Sequence, residues 1–322
     1  MPQPNPKPKK PSTHQLSKSN DKSHYVADFK QDQGFEELAD FVPKTHFRFS
    51  LAGKIGVGVV CLWALVAIFG PLIAPYGENE LPFPDAYAEF QAPQIGAWLG
   101  TDVADRDILS RLIYGASRTI GISFAATMLA YVLGVVLGII AAISSPRLDM
   151  VMSRTNDAIL SLPTIMLGLV VVAAIGSSIP ILICTAGVIY ASLVFRLARA
   201  LAQETMVMDF VEVARLRGEG MWWIISREIW PNAAMPLLTD FGLRLIYVIL
   251  FISSLSFLGL GVQPPQADWG SMVRENLGAL QYGTSIIPVL TPAIAIATLT
   301  VAINLIVDDI SAHSGGRLAK KL

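Results

Sequence analysis

Charge is the property that this sequence lacks most. Only 15% of its 322 residues are charged, whereas a soluble domain usually carries about a quarter. Hydrophobic residues reach 53%, and they are gathered in long blocks rather than scattered along the chain. The formal net charge of −1 provides no global attraction to nucleic acid, so we expect no nucleic-acid partner. The composition therefore predicts a protein embedded in a lipid bilayer.

Cysteine and histidine are scarce, which excludes further classes of protein. Cys61 and Cys184 lie far apart in apolar runs, so a disulfide framework is excluded and two buried structural thiols are expected. The histidines all lie in terminal segments, where solvated side chains are expected rather than metal ligands; they are His14, His24, His46 and His313.

Catalytic motifs are missing as well. The chain contains no G-x-x-x-x-G-K-[ST] phosphate loop, so we do not expect it to bind ATP by that route. It also contains neither the H-E-x-x-H nor the G-x-S-x-G motif. We therefore expect no enzymatic activity, no cofactor and no metal ion in this chain itself.

The first fifty residues differ from the rest of the chain. They have no apolar core of a signal peptide, so a cleavable leader is not expected. Residues 1–50 are rich in Pro, Lys, Ser, Asp and Gln, a composition that predicts a largely disordered tail. Residues 35–49 gain Phe, Leu and Val, a pattern compatible with a short interfacial helix.

Long uncharged stretches predict the membrane spans, at roughly 20 helical residues for each crossing of the bilayer. The stretch 158–195 is too long for one helix, and GSSIP at 176–180 divides it into two helices with a tight turn. The chain should therefore cross the membrane six times. The predicted order is a first span at 51–74, an external loop at 75–116, a core with spans two to six at 117–309, and a tail at 310–322. The uncharged stretches are 55–74, 119–143, 158–195, 245–263 and 282–307.

The distribution of Lys and Arg predicts the orientation. If the N-terminus is cytoplasmic, nineteen of the twenty-four basic residues lie on the cytoplasmic side. Both terminal tails and residues 196–232 are then cytoplasmic, and 75–116 is external. Gly134 and Gly138 form a small-xxx-small pair in the second span, which predicts close packing between helices of this protein.

The segment DFVEVARLRGEGMWWIISREIWPN, residues 209–232, is a charged island between apolar runs. Phe210, Val213 and Ala214 recur at helical spacing and predict one apolar face. Glu212 and Arg215 are three residues apart on the other side and can pair.

Two glycines interrupt this island. Gly218 predicts the end of the first helix, because glycine adopts left-handed backbone geometry readily. A second helix should run from Met221 until Pro231 ends it. A membrane-surface helix with interfacial tryptophans is one interpretation of the island. A helix that fits a groove on a partner explains the glycine break better.

The same island resembles the EAA loop of ABC importer permeases. Glu212, Val213 and Ala214 are followed after three residues by Gly218, and Ile229-Trp230-Pro231 begins eleven residues after that glycine. The sequence departs from the motif at Val213, which replaces alanine, and at Trp230, which replaces leucine. The resemblance implies a coupling loop at 204–232, called the coupling segment below. The residues that it implies for contact with an ATPase are Glu212, Ala214, Arg215, Gly218, Ile229 and Pro231.

Two further stretches resemble the peptide/opine/nickel group of these permeases. They are LGTDVADRDILSRLIYGASRT at 99–119 and LSFLGLGVQPPQADWGSMV at 255–273, and the whole resemblance covers residues 51–309. Asp105 stands where the family has glycine, and Asp is among the better-tolerated replacements if that position is left-handed.

The resemblance implies an all-α integral membrane protein of the bacterial inner membrane, a six-span type I ABC importer transmembrane domain with a cytoplasmic coupling helix. Its implied partners are the lipid bilayer, a homologous second permease subunit, two ATP-binding ABC subunits that carry ATP and Mg, and a periplasmic binding protein. Short peptides are the expected cargo, with opines, oligosaccharides and nickel complexes as alternatives. A stand-alone secondary transporter is disfavoured because no internal repeat is evident, and a membrane-embedded enzyme because the spans show no paired nucleophile and base.

Several charged residues near the membrane allow two interpretations each. Arg244, eight residues into a helix starting near Pro236, is either paired with Asp240 for structure or lines the transport pathway and contacts an anionic group. Asp157 and Pro163, also a family pattern, suggest a packing or hinge role. The acidic residues of the external loop form either a docking surface or a cap over the external mouth; they are Glu78, Glu80, Asp85, Glu89, Asp102, Asp105 and Asp107.

Overall fold

The computed structural model describes residues 50–85, 88–282 and 285–318. The tail predicted at 1–50 therefore lies outside the described residues, apart from Ser50. Within the described ranges the chain forms helices and no β-strand beyond isolated bridges. The helices are α1 Leu51–Ile73, α2 Ile108–Ile143, α3 Pro146–Leu160, α4 Thr164–Ile175, α5 Ile179–Met206, α6 Asp209–Leu216, α7 Met221–Ile224, a π-helix Ile225–Ile229, α8 Trp230–Phe257, α9 Trp269–Glu275, α10 Gly278–Tyr282 and α11 Ile287–Leu318.

Five stretches of helix in the described ranges are long and apolar enough to cross a membrane, and a bent pair gives a sixth candidate. The five are α1, α2, α5, the continuous stretch Met221–Phe257, and Ile287–Ala312 of α11. The bent pair is α3 and α4, whose axes meet at 86°. The all-α fold is therefore confirmed, and the described ranges contain six candidate spans when the bent pair is counted as one.

The third span is not one continuous helix. α3 ends at Leu160 and α4 begins at Thr164, with Pro163 as its N-cap. Proline disfavours helical geometry in the residue before it, so the helix breaks at Leu162. Arg199 of α5 forms an ion pair with Asp149, which fastens α3 to α5 on the predicted cytoplasmic side.

The second span begins earlier than predicted. The Asp107 carboxylate accepts a hydrogen bond of 2.8 Å from the Ser110 N–H and caps α2, so the helix starts at Ile108, inside the predicted loop 75–116. Residues 108–116, which the sequence assigned to the external loop, are the first part of this 36-residue helix. At 1.5 Å per residue α2 is about 54 Å long, which exceeds a bilayer core of about 30 Å.

Backbone contact joins α2 to α5 in the core. A Cβ atom added to Gly134 would lie 2.6 Å from Val194 Cβ, and one added to Gly138 would lie 2.7 Å from the Phe195 carbonyl oxygen. The close helix packing predicted for this glycine pair is confirmed.

The two cysteines are exposed, not buried as predicted. Cys61 lies on α1 and Cys184 on α5, and neither forms a disulfide. Lipid tails are as apolar as a protein interior, so an apolar run does not reveal which of its side chains point inward.

Candidate functional site

The coupling segment begins with the predicted helix and glycine turn. α6 has eight residues and ends in a Schellman motif. The Gly218 N–H donates to the Arg215 carbonyl at 2.9 Å, and the Glu219 N–H donates to the Ala214 carbonyl at 3.2 Å. Gly218 has a φ of +83°, in the left-handed region. The predicted glycine stop is therefore confirmed.

The buried face of α6 differs from the predicted one. Val211 and Ala214 are fully buried, whereas Phe210 and Val213 are 41% and 53% exposed. Val211 belongs to a hydrophobic cluster that also contains Ile224 and Ile229. The prediction failed because apolar residues at 210, 211, 213 and 214 satisfy two overlapping helical stripes, and only the rest of the fold selects between them.

The polar face of α6 is directed to solvent. Glu212 and Arg215 are exposed, and the ion pair predicted between them does not form. Arg215 Nη2 instead lies 3.7 Å from Met206 Sδ. Within the described part of the chain Glu212 has no ion-pair partner, so both charges remain accessible to another protein.

The second helix of the coupling segment does not end at Pro231. It continues through the π-helix into α8, so that Met221–Phe257 is one helical stretch of 37 residues. The Trp230 N–H bonds to the Ile225 carbonyl, five residues earlier. We attribute the tolerance of Pro231 to this wider turn, which provides room for a ring that would crowd the preceding turn of an α-helix.

The tryptophans of the coupling segment divide into two groups. Trp223 is partly buried against the hydrophobic cluster, and the Arg217 guanidinium lies 5.5 Å from its ring centroid. Trp222 is 79% exposed and Trp230 is 52% exposed. Trp223 thus packs this helix inward, while the other two present apolar surface.

A second group of polar residues lies within the spans. Arg244 donates to both carboxylate oxygens of Asp240, from Nη2 at 2.9 Å and from Nε at 3.1 Å. The Tyr131 hydroxyl of α2 donates to the same carboxylate at 2.7 Å. The sequence predicted the pair but not Tyr131, and it placed the start of this helix wrongly, because Pro236 lies inside α8.

Buried ion pairs organise the predicted external side of the protein. Asp102 is 2.8 Å from Arg106 Nη2 and 3.3 Å from Arg111 Nε. Both arginines also contact Glu275 of α9, at 3.2 and 3.3 Å. Sequence reasoning missed Arg111 and Glu275; an arginine in an otherwise apolar helix was the available signal for the first of them.

Glu78 ties the external loop to two other elements. It accepts hydrogen bonds from Arg118 of α2 and from the Ala267 N–H ahead of α9. Burial raises the pKa of Glu78, but the hydrogen bonds from Arg118 and Ala267 outweigh that effect and leave the pKa below its usual value.

Other acidic residues of the external loop are structural as well. Asp105 is fully buried, has a φ of +60°, and accepts a hydrogen bond of 2.9 Å from Gln91. The left-handed geometry considered for Asp105 is therefore present. Of the seven acidic residues predicted to form a docking surface or a cap, only Glu80, Asp85 and Glu89 are exposed and available to a partner.

No group of three or more His, Cys, Asp or Glu side chains suited to a metal ion occurs among the described residues. The described residues instead form a turn with an exposed polar face on the predicted cytoplasmic side, a polar cluster within the candidate spans, and a loop fastened by ion pairs on the predicted external side.

Several known proteins are similar to this chain in sequence or in fold. The family described as "Binding-protein-dependent transport system inner membrane component" matches residues 134–320. The chain is 30% identical to the dipeptide transport system permease protein DppC of Haemophilus influenzae over 84% of this chain and 94% of that protein. It is 29% identical to the glutathione transport system permease protein GsiD of Pectobacterium atrosepticum over 83% of this chain and 87% of that protein. A chain of the MetNI methionine ABC transporter in an inward-facing conformation is similar in fold, with a TM-score of 0.52 and 17% identity over 64% of this chain and 97% of that one.

Proposed function

The chain belongs to the family of binding-protein-dependent transport system inner membrane components, and we propose that it is the permease subunit of an ATP-driven ABC importer for short peptides. The observation that carries this proposal is the coupling segment. Its α6 exposes a polar face at Glu212 and Arg215, and its buried Val211 shares a hydrophobic cluster with Ile229, in the helix that continues into the membrane.

This packing supports a mechanical role for the segment. When a partner moves α6, the fully buried cluster that contains Val211 and Ile229 passes that movement to the stretch Met221–Phe257. Close-packed interiors transmit displacement because they have little free volume to absorb it. ATP-driven closure of the ATPases would in this way tilt the spans between inward-open and outward-open states.

The partners follow from the same proposal. Two ATP-binding subunits, which carry ATP and Mg, bind the pair of permease subunits, and one of them docks on the exposed face of α6 of this chain. A homologous second permease subunit completes the pathway, and a periplasmic binding protein delivers the cargo to the external side. Both termini lie in the cytoplasm of a bacterial cell whose inner membrane holds the complex, an orientation that the Lys and Arg distribution supports.

Short peptides are the proposed cargo because relatives over most of the chain are named for dipeptide or glutathione transport. Opines, oligosaccharides and nickel complexes remain the alternatives within the same machinery. Uptake assays with radiolabelled dipeptides, competed by an oligosaccharide or by a chelated nickel complex, separate these cargo classes.

The test of the proposal is co-purification with the candidate ATPase subunits, followed by measurement of substrate-stimulated ATP hydrolysis. We expect Glu212→Lys to reduce the amount of ATPase that co-purifies. Glu89→Lys is the matched control, because it makes the same charge reversal at an exposed residue of the external loop and should leave co-purification unchanged. Uptake by this chain in liposomes without any ATPase would contradict the proposal and support a stand-alone transporter.

A further inference from the structure

The polar cluster within the spans has a feature that the coupling role does not use. The Asp240 carboxylate accepts three hydrogen bonds, two from Arg244 and one from Tyr131. The Phe241 ring packs edge-on against Tyr131, with the ring centroids 5.0 Å apart. The hydrogen-bonding capacity of Asp240 is thus largely occupied, and its orientation is fixed from both α8 and α2.

Arg244 is less fully occupied than its partner. Its Nη1 makes no hydrogen bond within the described residues, and the side chain is 20% exposed in the single subunit. Thirteen residues separate Arg244 from the end of α8 at Phe257, about 20 Å along the axis. An ionisable side chain at that depth normally faces protein or a water-filled cavity. The cluster therefore offers an unused N–H donor and no unused carboxylate.

The cluster also carries no net charge. Asp240 and Arg244 lie one turn apart on the same helix, so they remain paired however α8 moves against its neighbours. A fixed charge of either sign inside a pathway would attract some substrates and repel others.

We propose that Arg244 donates hydrogen bonds to the carbonyl and carboxylate oxygens of peptides in the translocation pathway, while Asp240, held by Tyr131, keeps that donor oriented and the pathway electrically neutral. Asp240 and Tyr131 are positioning residues in this arrangement. The inference rests on the proposed peptide-import function. Its consequence is that acidic, neutral and basic peptides pass this point with similar ease.

The test is uptake of Ala-Glu, Ala-Ala and Ala-Lys by the complete transporter in proteoliposomes, with one binding protein throughout so that its own preference cancels. Asp240→Asn leaves the guanidinium uncompensated. We expect the ratio of Ala-Glu to Ala-Lys uptake to rise roughly 300-fold or more over the wild-type ratio. A unit charge some 8–10 Å away at an effective dielectric constant of about 20 changes each uptake rate roughly 15- to 30-fold, and the two peptides respond in opposite directions. Arg244→Gln leaves the carboxylate uncompensated and should lower the ratio by a similar factor.

Two further variants separate charge from positioning. The double variant Asp240→Asn/Arg244→Gln is neutral again and should return the ratio of Ala-Glu to Ala-Lys uptake to the wild-type value. Uptake of all three peptides should be lower than in the wild type, because the Arg244 donor is missing. Tyr131→Phe removes only a hydrogen bond, so it should lower all three uptake rates about three- to tenfold without changing the ratio.

Size-exclusion chromatography of the assembled complex identifies variants that do not fold. Because the two single-charge variants shift the ratio in opposite directions, either one that assembles can decide the question. An unchanged ratio in an assembled single-charge variant overturns the proposal and leaves the pair as a structural ion pair. Wild-type transporter that takes up none of the dipeptides refutes the peptide assignment itself, and the inference that names peptides fails with it.

Discussion

Substitutions at Gly218 separate the effect of backbone geometry from that of packing in the coupling segment. A Cβ atom at this position would meet no atom within 4 Å, so a side chain introduces no clash there. The φ of +83° is nevertheless unfavourable for residues with a Cβ. The penalty is about 1–2 kcal/mol for an ordinary L-residue, larger for a β-branched one and smaller for Asn.

This difference predicts an order of effects. Gly218→Asn should behave almost as wild type, Gly218→Ala should destabilise the turn by about 1 kcal/mol, and Gly218→Val by about 2 kcal/mol or more. Because 1.4 kcal/mol is a factor of ten in a local equilibrium, amide hydrogen exchange in α6 should accelerate about fivefold in the Ala variant and at least about thirtyfold in the Val variant.

The functional measurement is the number of peptides taken up for each ATP hydrolysed by the reconstituted importer. We expect this ratio to fall in the order Asn, Ala, Val, at equal amounts of membrane-inserted protein. A Val variant that couples as well as the Asn variant would refute the reasoning that a rigid glycine turn is needed. An Asn variant as defective as Val would show that a side chain at this position interferes with a partner instead.

Three further predictions concern other contacts. Glu212→Lys should lower uptake for each ATP hydrolysed while membrane insertion stays normal, and normal uptake would contradict the role assigned to α6. The folded-state pKa of Glu78 is depressed. Its contact with Arg118 therefore stabilises the external loop fully at pH values above the unfolded-state pKa of about 4.3. This stabilisation is lost as the pH falls through the folded-state pKa. Limited proteolysis between pH 7 and pH 3 should show that loss, and the same pH profile in Glu78→Gln would argue against it. Burial raises the pKa of Asp268, whose side chain caps the N-terminus of α9. Asp268→Asn should therefore keep the melting temperature of the protein in detergent, whereas Asp268→Ala should destabilise the protein by about 1 kcal/mol. Equal melting temperatures for the Asn and Ala variants would contradict this.

The features that the sequence predicted well depend on local chemistry. The left-handed turn at Gly218 and the ion pair of Asp240 with Arg244 each involve residues at most four positions apart. The α-helical spans follow from composition alone, because a bilayer excludes backbone groups that lack partners.

The features that it predicted poorly depend on contacts between distant elements. Pro231 normally ends a helix, but a π-helix just before it lets the chain continue into α8. The contact of Tyr131 with Asp240 joins residues 109 positions apart. The buried side of α6 depends on a hydrophobic cluster that includes α2 and α5 residues. No periodicity within one helix contains this information.

The glycine contact between α2 and α5 restricts which parts of the molecule can rearrange during transport. Where Gly134 meets Val194 and Gly138 meets the Phe195 backbone, no layer of flexible side chains separates the two helices. Sliding one past the other would drive a side chain into a backbone, so the pair moves as a rigid body. Relative motion is then concentrated at joints with weaker constraints, foremost the bend beside Pro163. Spin labels on α2 and α5 should keep a constant separation through the transport cycle, while labels on α3 and α4 should not.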